Sequence, residues 1–242
     1  MKKMNQKLLA GVLAVSAVAA GVVSPSANAG VAASVGASNM YYWRGMDLGN
    51  GDAAVWGDLK LSSDVGAYGG VWASSGDAVN GTEYDLYVGY GTKFGDFGVD
   101  LSYWTYVYPS AATSETVTTI DFTTEEVVET EVELDPFNSP GDLAEYILAL
   151  SYGPVVFTYY DNAEGADDYS YYTLAATHEA FTFKYGEHED AEGAAANGFS
   201  HFDITYAYNS KVSFTLGTVG DGGDGELNEE AKFVVNVALP IE

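Results

Sequence analysis

Along most of this chain, apolar residues alternate one by one with polar or small ones. In "TEYDLYVGY", Tyr84, Leu86, Val88 and Tyr90 interleave with Glu83, Asp85, Tyr87 and Gly89. In "DFGVDLSYWTYVY", Phe97, Val99, Leu101 and Tyr103 interleave with Gly98, Asp100, Ser102 and Trp104. In "HFDITYAY", Phe202, Ile204, Tyr206 and Tyr208 interleave with Asp203, Thr205 and Ala207. A period of 2 gives a strand one apolar and one polar face. Such runs predict twelve strands, over 31–45, 53–62, 67–74, 83–93, 97–108, 143–152, 155–160, 169–177, 181–186, 199–208, 212–218 and 231–240.

The connections alternate in length. "SSDVG", "FGD", "GP", "HEA" and "NSK" are tight turns, whereas 46–52, 75–82, 109–142, 161–168, 187–198 and 219–230 are longer links rich in acids and glycine. Short turns at one end and long loops at the other predict an all-β fold, a transmembrane up-and-down antiparallel β-barrel. The even strand count returns both termini to the short-turn side. A soluble sandwich or lipocalin-like fold is the alternative, but a sandwich buries its apolar faces in a core about 10 Å thick. Here aromatics gather near strand ends: Tyr41, Tyr42, Trp43, Tyr103, Trp104, Tyr106 and Tyr108 at the long-loop end, and Tyr90, Phe94, Phe97, Tyr152 and Tyr208 near the turns. Two interfacial girdles would account for both groups.

Residues 1–29 stand apart. Lys2, Lys3 and Lys7 precede an apolar run, and Ala27-Asn28-Ala29 supplies a small-x-small cleavage pattern, so 1–29 reads as a cleaved export signal. Residues 30–242 then form one barrel domain carrying the long acidic loop 109–142. The expected destination is the outer membrane of a Gram-negative bacterium, with outer-membrane lipids and lipopolysaccharide as surroundings.

Charge refines this picture. Without the three leader lysines, the chain keeps 6 bases against 35 acids, and it has no cysteine. That balance disfavours nucleic acid and favours cations as partners. The six long links hold 25 of the acids and no lysine or arginine. A cation-attracting mouth follows, with a reach of about 8–10 Å at physiological salt.

Alternation places Asp58 and Lys60, Glu83 and Asp85, Asp100, Glu145, Lys184 and Asp203 on polar strand faces. A charge facing lipid costs about 2–4 kcal/mol near the midplane, so these side chains are expected to point into a wet lumen. Arg44, the only arginine, ends the run "SNMYYWRG". If Tyr41 and Trp43 meet lipid, Tyr42 and Arg44 turn inward, Arg44 as a carboxylate-paired lumen residue, with Asp58 or Lys60 on the neighbouring strand and acids of the last loops within reach. Its planar fork suits that role better than a lysine ammonium.

Other chemistry is sparse. The histidines are His178, His188 and His201; His201 follows Ser200, and neighbours on a strand face opposite ways, so no nucleophile–base pair is expected and the chain reads as a non-enzyme. "GEHEDAEG" could hold a divalent cation, while "DGGDGELNEE" misses the calcium-loop spacing; both read more simply as solvated acidic loops. No cofactor or metal is expected. The stretch 109–142 extends as an acidic hairpin, with a plug over the mouth as the alternative.

"ASNMYYWRGMDLGNGDAAVWGDLKLSSDVGAYGGVWAS" and "EYDLYVGYGTKFGDFGVDLSYWTYVYP" resemble the TorF-type porins, a proteobacterial outer-membrane family. The matching positions are Ser38, Asn39, Tyr42, Arg44 and Gly45, then Gly70, Trp72, Ala73 and Ser74, then Asp85, Leu86, Tyr87, Gly89 and Tyr90. The match is specific over 34–108 and looser beyond. The chain departs from many barrels in ending "VALPIE" rather than in an aromatic residue. The resemblance implies a porin passing small solutes, and the acidic loops add a preference for cations. The alternatives are a structural or adhesion barrel with a blocked lumen and an interfacial lipid-modifying enzyme.

Overall fold

The computed structural model describes residues 30–121, 126–133, 136–166, 168–225, 227 and 230–241. The expected export signal, 1–29, lies outside them. Twelve strands form the barrel: β1 (Gly30–Ser38), β4 (Ala54–Ser62), β5 (Ala67–Asp77), β6 (Gly81–Phe94), β7 (Phe97–Val107), β10 (Ala144–Tyr152), β11 (Val155–Glu164), β12 (Ser170–His178), β13 (Phe181–Glu189), β14 (Phe199–Ala207), β15 (Val212–Gly222) and β16 (Lys232–Ile241). Two short pairs lie outside it, β2 (Tyr42–Trp43) with β3 (Met46–Asp47) and β8 (Ser114–Asp121) with β9 (Glu126–Glu133). Each barrel strand pairs antiparallel with its neighbours in sequence, and β1 joins β16 to close the ring. Closure removes the open edges that a flat sheet would leave unpaired.

The pleat sorts the side chains. Val55, Leu59 and Leu61 on β4, Leu86, Val88 and Tyr90 on β6, and Phe181, Phe183 and Tyr185 on β13 all point outward and are exposed. Asp58, Glu83, Asp85, Asp100, Glu145 and Asp203 occupy the intervening inner positions. Apolar outside and charged inside inverts the distribution of a water-soluble fold. It is the arrangement of a barrel solvated by lipid. Tyr90, Phe94, Phe97, Tyr152 and Tyr208 are exposed near the short turns, consistent with a girdle at that interface.

The other expected girdle is largely absent. Tyr41, Tyr42, Trp43, Trp104, Tyr106 and Tyr108 are buried, with Tyr106 0% exposed. The cause is at the first strand, which ends at Ser38 instead of continuing to residue 45. Asn39 continues the pairing with its side chain: its amide donates to the Phe233 carbonyl at 2.9 Å and accepts from the Val235 N–H at 2.6 Å. Beyond it the chain leaves the wall and folds into the lumen. Residues 39–53 therefore form an inward loop carrying β2 and β3, and the aromatics of β7 pack against it.

In the insertion at 109–142, β8 and β9 pair with each other, in register from Ser114↔Glu133 to Asp121↔Glu126, while the Phe137 carbonyl accepts from the Tyr108 N–H and the Gly141 N–H donates to Thr105. The two strands form a separate hairpin, with 122–125 and 134–135 outside the described residues. The segment that occupies the lumen is 39–53.

Candidate functional site

The tip of the inward loop is a two-residue turn, Arg44-Gly45, between the paired residues Trp43 and Met46. Both turn residues have positive φ, 41° and 91°. Such turns match the twist of a hairpin, and they ordinarily carry Asn-Gly or Asp-Gly. An arginine in this position is strained locally, so its side chain must be held by its surroundings.

Those surroundings come from all around the wall. Arg44 Nη2 donates to Glu145 Oε2 at 2.7 Å and Nη1 to the Tyr169 hydroxyl at 3.1 Å. The guanidinium carbon lies 4.3 Å from the ring centre of Tyr160, 4.6 Å from that of Tyr171 and 4.8 Å from that of Trp43. Burial alone would lower the Arg44 guanidinium, but the adjoining Glu145 carboxylate outweighs it and holds the group above its ordinary range, and so charged. Tyr106 donates to the same Glu145 oxygen at 2.8 Å.

The backbone of the turn is tied down too. His188 Nε2 lies 2.9 Å from the Arg44 carbonyl and Nδ1 3.0 Å from the Tyr169 hydroxyl. A carbonyl only accepts, so Nε2 carries the proton and Tyr169 donates to Nδ1. Tyr42 donates to Asp203 Oδ1 at 2.6 Å. Asp203 also accepts from His201 Nδ1 at 2.9 Å and pairs with Lys184 at 2.8 Å. Tyr41 donates to Glu83. Three loop residues thus reach three separated strands, β6, β10 and β14. Gly217 makes one of these contacts possible, since a Cβ there would collide with the Tyr42 hydroxyl.

All the sequence-derived lumen residues lie inside the wall, but in four groups. Arg44 and Glu145 form the central pair. Its partner is therefore Glu145 across the lumen, not Asp58, Lys60 or an acid of the last loops, because the loop carries Arg44 away from its own strand neighbours. Glu83 and Asp85 sit together under Tyr41. Lys184 and Asp203 join Tyr42. Asp58, Lys60 and Asp100 form the fourth group: Tyr87 donates to Asp58 at 2.9 Å, Tyr68 donates to Asp100 at 2.6 Å, and Lys60 Nζ lies 4.0 Å from the Tyr68 ring centre. Tyr87 stacks on Trp104 at 4.2 Å, filling this side of the lumen.

Sequence reasoning turned Tyr42 inward with Arg44 but missed Tyr41, Trp43, Tyr169, Tyr171, His188 and His201. The readable signals were Asn39, which ends the strand, and Gly45. Ser200 and His201 do face opposite ways, as expected: they stand opposite Glu187 and Gly186 on β13, even though the register against β15 shifts between them and both are buried. They do not pair through a free ring nitrogen, since His201 Nε2 lies 2.7 Å from the Tyr171 hydroxyl while Nδ1 takes Asp203. "GEHEDAEG" is divided, with His188 inward, Glu187 at Tyr172 and Tyr185, and Glu189 at Ser170. In "DGGDGELNEE", Asp224 accepts from the Gly193 N–H and the Asn197 amide, which hold it below the usual carboxylate range; residues 226, 228 and 229 lie outside the described set.

On the loop's other side lies a cavity of about 180 Å³. Met40, Tyr41, Tyr42, Trp56 and Trp72 line it opposite Thr182, Thr205, Thr215, Lys184 and Asp203.

These contacts define a closed, lipid-facing twelve-stranded barrel with an inward loop fastened across its lumen. Residues 21–135 match the model of a family described as "Bacterial protein of unknown function (Gcw_chp)", a span that includes the inward loop. No match was found among curated proteins. Similar solved structures include the KdgM porin in complex with disordered oligogalacturonate, at 8% identity and a TM-score of 0.41 over 88% of this chain and 99% of that one. Outer membrane phospholipase A from Escherichia coli is similar at 9% identity and a TM-score of 0.41, over 89% and 98%. Pseudomonas aeruginosa OprD is similar at 9% and 0.34, over 88% of this chain and 66% of that one.

Proposed function

We propose that this protein is an outer-membrane porin of the TorF type, passing small solutes and favouring cations, and that residues 39–53 are its gate. The observation that carries the reading is the manner in which the loop is held. It closes the lumen through side-chain contacts of Tyr41, Tyr42 and Arg44, not through strand pairing with the wall. Contacts of that kind can be released without unfolding a strand. Beside the gate a cavity of about 180 Å³ remains, where Thr182, Thr205, Thr215 and Lys184 face Trp56 and Trp72. The reading includes no enzymatic step.

Planar-bilayer recordings test it. Replacing residues 41–52 with a short Gly-Ser linker should raise unitary conductance several-fold over a parent that opens rarely. Silence from both proteins, with the barrel correctly assembled, would favour a second reading, a structural or adhesion barrel. The closed lumen around Arg44 is the feature that supports that reading.

A further inference from the structure

Glu83 and Asp85 stand two residues apart on the inner face of β6, and neither has any exposed surface. Tyr41 of the inward loop donates to Glu83 Oε2, yet Glu83 Oε1 and both Asp85 oxygens have no hydrogen-bond partner. Ser74, directly across on β5, has an unpartnered buried hydroxyl as well. Two residues apart on one face of one strand, the two carboxyl groups are immediate neighbours. Two bare carboxylates cannot sit this way in a dry site, because each is only an acceptor and like charges repel.

The other titratable groups facing the pair add at most the Tyr108 hydroxyl beside Glu83, and no positive charge. Tyr41 comes from the loop, Tyr106 and Tyr108 from β7 and the residue after it, Asp77 from the end of β5, and Glu145 from β10. Asp77 and Glu145 add negative charge. Arg44, the loop's own cation, is committed to Glu145. Among the described residues no group of three or more His, Cys, Asp or Glu side chains is placed to hold a metal ion.

We propose that Glu83 and Asp85 share a proton and form a pH-sensitive latch on the inward loop. One carboxyl O–H donates to its neighbour's carboxylate, and Tyr41 donates to Glu83 from the loop. Loss of the shared proton to water leaves two adjacent negative charges that are stable only when hydrated, which requires Tyr41 and the loop to withdraw. The closed state then binds more protons than the open one. Closure is complete at low pH and is lost as pH rises through the pair's titration, the sign opposite to that of a salt-bridged carboxylate. The idea rests on the gate reading above, which supplies the open state.

Infrared difference spectra across about pH 5 to 9 read the shared proton without any reference to transport. A protonated-carboxyl band should be present in the parent, fade towards alkaline pH, and be missing from the Glu83→Gln/Asp85→Asn double variant. Its absence from the parent overturns the proposal. Asp85→Asn alone keeps a donor where the proton stood and should hold the loop shut throughout. Maleimide labelling of a Met46→Cys reporter should quicken on the order of tenfold over the same range in the parent background and stay flat with Asp85→Asn. An equal pH response in both backgrounds removes the latch. Labelling that follows pH in a protein that never conducts keeps the latch and removes the porin reading; conductance with pH-independent labelling keeps the porin and removes the latch.

Discussion

Arg44 concentrates the physics of the molecule in one side chain. It is buried among aromatic rings, sits in a left-handed turn position, and neutralises a carboxylate with almost no solvent contact. Such a pair contributes little compared with an apolar replacement of both partners, but removing one partner is costly because the other is left charged and dry. Arg44→Met should therefore destabilise the barrel by about 3–5 kcal/mol, read as a lower temperature for loss of the compact band on unheated gels. An unchanged midpoint would mean that the Arg44–Glu145 pair does not help to hold the barrel together. Arg44→Lys should fall between the two, since an ammonium keeps the charge but loses the fork and the flat stacking surface.

At the scale of elements, the closing seam between β1 and β16 decides where the inward loop begins. Asn39 substitutes its amide for one more residue of strand and lets the backbone turn away. Asn39→Ala removes two hydrogen bonds to β16, worth roughly 1 kcal/mol each, and should speed hydrogen exchange at the Val235 amide while leaving the Val212 end of the sheet unchanged. The long-loop side has its own tie. Asp224 accepts hydrogen bonds from loop 190–198, and its carboxyl is held below the ordinary value. A lowered carboxylate contributes its full stabilisation above the ordinary carboxylate range and loses it as pH falls through the lowered value. The Gly193 amide should be protected at neutral pH and exchange freely in acid; protection that persists in acid would show that another contact holds the loop.

For the whole molecule, charge asymmetry has a consequence for permeation. Apart from the inward loop, the long links at one end carry 23 acids without a base, so the potential there is negative over about one Debye length. In a KCl gradient, the gate-deleted protein should show a reversal potential favouring K⁺, and the preference should shrink as salt is raised. Anion preference at low salt would instead assign control to Lys60 and Lys184 inside the lumen.

The strand count, the short turns and the inward placement of Asp58, Glu83, Asp100, Glu145 and Asp203 were legible in the sequence. A two-residue period is a local property, and lipid outside with charge inside leaves it only one register. The inward loop was not legible. "MYYWRG" alternates well enough to extend a strand, and Arg44-Gly45 lacks the usual turn residues. Burial on the lumen side looks the same in sequence as burial at a lipid interface, because an aromatic residue suits both. Only the closed ring brings β6, β10 and β14 around a single point. There Glu83, Glu145 and Asp203 become partners for Tyr41, Arg44 and Tyr42, which lie 42, 101 and 161 positions away along the chain. The alternation specified a barrel; what fills it depended on contacts across the lumen, which have no period to read.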